Sequence, residues 1–96
     1  MSDTFEPDPD AIREAFARIP RERWATVLAM IFVLKMPAAA LEQIALRGRR
    51  DFIKWGRRTD VVGLTAEDYS DIFRYIRMAV QRYHQARVAM DAARNN

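Results

Sequence analysis

The residues with the most chemical reach lie between Leu46 and Arg58, in the run "LRGRRDFIKWGRR". Six cations, two aromatic rings and two glycines share these thirteen positions. Clustered guanidinium and ammonium groups neutralise phosphates and release their counterions, the chemistry of nucleic-acid backbone binding. On one continuous helix, with Arg47 at zero and ~100° per residue, Arg50, Lys54, Arg57 and Arg58 fall near −60°, −20°, −80° and +20°. Five cations would then share an arc of roughly 100°. Leu41, Ile44, Ala45, Gly48, Phe52 and Trp55 would form an apolar face beside it. The expected phosphate contacts are therefore Arg47, Arg50, Lys54, Arg57 and Arg58. Arg49 and three arginines of the last helix, Arg74, Arg77 and Arg82, are further contacts.

Two simpler accounts compete with this. Any amphipathic helix has a polar face, and this one could lie opposite the acidic stretch 59–73, which holds four acids and no base. The same face could also dock on an acidic protein partner, making the chain an inhibitor or adaptor module. The preference for arginine carries little weight, because fourteen of the sixteen bases are Arg and alanine is abundant, as a GC-rich genome would dictate.

Gly48 allows a second geometry. It can close one helix and open another, giving Ala38–Arg47 and Arg49–Trp55 as a helix-turn-helix. Arg49, Arg50 and Asp51 would then begin the helix that reads base edges. The pattern resembles the helix-turn-helix family only in part. That family places alanine four residues before the turn glycine and an aliphatic residue six beyond it. Here those positions hold Ile44 and Lys54, so no functional residue carries over.

Catalytic constellations are absent from the sequence, and the chain is read as non-enzymatic. His84 is the only histidine and there is no cysteine, so histidine-pair and thiolate metal sites cannot form within one chain. The three glycines are isolated, so no phosphate loop exists. Glu67 and Asp71 share a helix face, but in the first turn they are explained by the helix dipole. Ser2 and Ser70 have no base at motif spacing. No cofactor or metal is expected.

The elements that must carry the basic run are helical throughout. Asp8 caps a first helix with Pro9 at its start, and Ile12, Phe16 and Ile19 form its apolar stripe. A second helix, about 21–35, is apolar nearly all round. A third follows Pro37 and runs from Ala38 to about Arg58, unless Gly48 breaks it. Val61-Val62-Gly63-Leu64 is a turn. Thr65 caps the last helix, along which Tyr69, Ile72, Phe73, Ile76, Val80 and Tyr83 recur every three or four residues up to about Ala93. The expected fold is all-α, a single-domain bundle of four or five helices over residues 1–96, with residues 1–8 an acidic, flexible N-terminal segment.

Charge is unevenly placed along the chain. The net charge is +3, yet residues 47–58 hold six bases against one acid, and residues 74–96 hold five against one. The longest apolar stretch, Trp24–Leu34, falls well short of the ~20 residues of a membrane span, so no membrane partner is expected. The absence of cysteine fits a reducing compartment, and a cytoplasmic location is expected. Surplus apolar surface on the second helix and at Tyr75 and Met78 points to a homodimer or larger assembly. The segment "DIFRYIRMAVQRYHQAR", seventeen residues of common helical types, resembles the C-terminal helix of the all-helical small subunits of CRISPR effector complexes. That resemblance implies contact with nucleic-acid backbone. Together these readings lead to a DNA- or RNA-binding protein acting as an oligomer or as a subunit of a nucleoprotein complex.

Overall fold

Punctuation by proline and glycine sets the helix boundaries. In the computed structural model, which describes residues 8–94, Asp8 begins the first helix by accepting a hydrogen bond from the Asp10 amide at 3.1 Å. Helix α1 then spans Pro9–Ala17. The expected flexible segment 1–8 lies outside the described residues apart from this cap. Pro20 introduces a short 3-10 turn, Arg21–Arg23, and α2 follows at Trp24–Lys35. Pro37 precedes α3, Ala38–Arg47, and α4 spans Arg49–Thr59. Helix α5 runs Ala66–Arg94, 29 residues or about 43 Å at 1.5 Å per residue. The described chain is thus all-α, with five helices and no strand.

The continuous third helix is not what forms. Gly48 stands between α3 and α4 at φ 97°, ψ 166°, a backbone region essentially reserved for glycine. The second geometry is the one adopted, with a joint one residue long. Arg47 therefore ends one helix and Arg50 lies in the first turn of the next, so their common arc is lost.

Helix α5 is the spine, and α2, α3 and α4 each pack along it. Its stripe of Tyr69, Ile72, Phe73, Ile76 and Val80 meets Ala29 of α2, Leu41 of α3, Phe52 of α4 and Leu64 in one core. Leu41, Ile72 and Ile76 are fully buried. Helices α4 and α5 approach closely at Gly56. Gly56 is buried, and a side chain there would collide with the ring of Tyr69. The stripe was expected to continue to Tyr83. Its buried part stops at Val80: beyond it α2 and α3 reach α5 only through surface contacts such as His84 with Glu42, and residues 81–94 are exposed throughout.

Helix α1 is fastened at the edge of this core. Phe16 packs edge-on against Trp24 at 5.7 Å. The Trp24 indole N–H donates to the Ile19 carbonyl at 2.9 Å, and Arg13 donates to the Val61 carbonyl at 2.8 Å. No helix among the described residues is long and apolar enough to cross a membrane.

Candidate nucleic-acid interface

Packing decides which way the basic residues face. On α4, Phe52 and Gly56 are buried toward α5. Measured from Phe52 at ~100° per residue, Arg57, Arg50, Lys54 and Arg58 fall near 140°, 160°, 200° and 240°, opposite the core. All four are exposed. Four of the expected cations thus share one face of α4. Arg47 joins them from α3, lining a groove with Lys54 and Arg58. Arg49 turns the other way and lines a second groove with Arg74 and Arg77 of α5. Arg82 stands apart, beside Met30, Leu34 and Tyr83. The nine expected contacts thus separate into an outward face, a side groove and an outlier.

The acidic stretch forms no ion pair with the outward face: three of its four carboxylates are engaged elsewhere, and Glu67 pairs with none of these cations. Asp60 accepts the Tyr69 hydroxyl at 2.7 Å and the amides of Gly63 and Leu64 at 2.6 and 3.1 Å. Burial and this carboxylate together push the Tyr69 hydroxyl well above its ordinary value. Asp68 pairs with Arg21 at 2.7 Å and closes a reciprocal cap with Thr65. Burial raises the Asp68 carboxyl, but hydrogen bonds from Arg21 and Thr65 outweigh that and hold it below its ordinary value. Asp71 lies 3.9 Å from Arg74. Among the described residues, no carboxylate forms an ion pair with Arg47, Arg49, Arg50, Lys54, Arg57 or Arg58.

This leaves the face electrostatically costly. Lys54 has like charges at i−4, i+3 and i+4, each pair repelling by about 0.2–0.5 kcal/mol. Arg57 and Arg58, in the last turn, are favoured by the helix dipole. Arg49 and Arg50 are not, since the first turn favours acids and disfavours cations. Only Asp51 is well placed there. Stability alone would not put two unpaired arginines at that end.

The exposure of Trp55 is not evident from the sequence. Helical periodicity places the residue on the apolar face, yet on α4 it lies about 60° off Phe52, on the side that borders Asp51 and Arg58. With α4 read alone, that boundary position is legible; with α3 attached, it is hidden. Trp55 is 42 % exposed, its ring held edge-on to Phe32 at 5.9 Å and tilted on Phe52 at 5.7 Å. His84 is exposed and its Nε2 sits 2.9 Å from Glu42 Oε1, a surface contact between α5 and α3. No cluster of histidine and carboxylate that could hold a metal occurs among the described residues. No family model, curated protein or solved structure matches this chain.

Proposed function

We propose that this chain is a small, non-enzymatic nucleic-acid-binding protein that grips phosphates with the outward face of α4. The observation behind this is the set of Arg50, Lys54, Arg57 and Arg58, exposed on one helix face and unpaired among the described residues. A phosphate backbone would relieve both the mutual repulsion of these side chains and the unfavourable position of Arg50. Arg47 borders the face, and Arg49, Arg74 and Arg77 in the groove on the other side of α4 are further contacts.

A second surface favours assembly. Met30, Leu34, Tyr75, Met78 and Tyr83 are exposed between 43 % and 77 % and border one groove between α2 and α5. Such a patch fits an oligomer or a subunit of a larger nucleoprotein complex, working in the cytoplasm.

Titration with DNA and RNA, single- and double-stranded, tests the binding. Four phosphate contacts give a log–log salt slope between about −2.8 and −3.6, at roughly −0.7 to −0.9 per contact. The double change Arg50→Glu with Lys54→Glu should remove most binding without lowering the melting temperature, because it relieves repulsion. If the parent binds no nucleic acid at low salt, the basic face is a solvated surface or a dock for an acidic protein.

A further inference from the structure

Beside α4 runs a groove of about 470 Å³, and its two sides differ in chemistry. Its floor is apolar: Phe32 and Met36 from the end of α2, Ile44 from α3, and Phe52 and Trp55 from α4. Its rim is basic, with Arg47 from the end of α3 and Lys54 and Arg58 from α4, against the single carboxylate of Asp51. We propose that this groove seats an unpaired nucleobase on the Trp55 ring, with the rim cations on the flanking phosphates, so that the protein prefers single-stranded nucleic acid over duplex. This rests on the phosphate-binding reading above and names the form of nucleic acid that the face takes.

Stacking needs a free π-face. In a duplex the base faces are covered by their neighbours and only the edges are offered to a protein. An exposed indole over an apolar floor therefore has nothing to hold on a duplex, whereas an unpaired base can lie against it and bury both surfaces. The ring is already oriented by its contacts with Phe32 and Phe52, so little side-chain freedom remains to be lost on binding. Charge argues against a second copy of this chain as the occupant. A two-fold contact through this groove would bring Arg47, Lys54 and Arg58 of one copy toward the same residues of the other.

Trp24 and Trp55 are the only tryptophans, so the Trp24→Phe variant reports Trp55 fluorescence alone. It is titrated at low salt with an unstructured oligothymidylate of about 12 nucleotides, within the ~4–16 that single-strand sites span. A hairpin duplex of equal length and polyglutamate are run beside it. The oligothymidylate should quench Trp55 and bind at least about fivefold more tightly than the hairpin, since one stacked base contributes roughly 5- to 150-fold. In the otherwise native chain, followed by anisotropy of a labelled strand, Trp55→Ala should lose that factor for the single strand and leave the hairpin unchanged. Trp55→Phe keeps a ring and the core contacts, and should retain most of the affinity. Its failure to do so, with the fold intact by circular dichroism, overturns the stacking role.

Equal affinity for hairpin and single strand, or a Trp55→Ala variant that folds and binds the single strand like the parent, also overturns the inference. Both outcomes leave the phosphate-binding reading standing. Quenching by polyglutamate at matching affinity assigns the groove to an acidic peptide and overturns the inference too. No binding of either nucleic acid overturns that reading and the inference together.

Discussion

At the scale of single residues, the informative contrast is between acids that are engaged and bases that are not. Asp60 and Asp68 are structural: one closes the loop ahead of α5 on the Tyr69 hydroxyl and two backbone amides, the other joins Thr65 and Arg21. Asp68 should make stability depend on acidity. Its folded-state value lies below its unfolded one, so its contribution is present above about pH 4 and disappears as the pH falls through the lowered value. Asp68→Asn keeps an oxygen that can accept from the Thr65 amide but removes the charge paired with the half-exposed Arg21, and should cost up to about 1 kcal/mol at neutral pH. The gap in melting temperature between parent and variant should close on acidification. A gap that persists unchanged at pH 2 would show that the charge of Asp68 contributes nothing.

At the scale of elements, the decisive feature is the joint at Gly48. A helix that ran through it would carry Arg47 round to Arg50. The break leaves α4 with its own face and its own exposed first turn. Nothing lies within 4 Å of where a Gly48 side chain would point, so the strain of substitution is purely conformational. Gly48→Ala should destabilise the protein by about 1–3 kcal/mol, as a non-glycine residue in that region does, measured by chemical denaturation. A gain in stability would instead mean that α3 and α4 are continuous in solution. Gly56 is the opposite case, a helical glycine required by the closeness of Tyr69 rather than by its own backbone.

At the scale of the whole molecule, the core is narrow for the amount of apolar surface. α5 carries the burial of three helices along its first half, and its residues beyond Val80 are exposed. The apolar patch of α2 and α5 and the basic face of α4 share no residue, so the proposed assembly would leave the proposed phosphate-binding face open. Light scattering on a sizing column at micromolar concentration should report at least a dimer. Leu34→Glu, which alters a side chain 77 % exposed, should shift it toward monomer with little change in helical content. A parent already monomeric there would remove the assembly reading and leave the α4 face untouched.

The sequence by itself determined the helical class, most helix boundaries and the location of the charge. These are local properties: proline and glycine act on neighbouring backbone, caps span three or four residues, and the stripe Tyr69–Val80 follows helical period whatever it packs against. Tertiary structure decided the rest. Gly48 suited a helix interior as well as a turn until α3 and α4 each had to lie against α5. Once they did, Phe52 and Gly56 faced that spine, and Arg50, Lys54, Arg57 and Arg58 were left outward as its opposite. Whether the stretch 59–73 would neutralise that face was likewise unreadable, because an acid's partner is set by distances across the fold. Trp55 passed for a core residue because periodicity reports which side of a helix is apolar; only the helices placed around α4 decide how much of that side is covered.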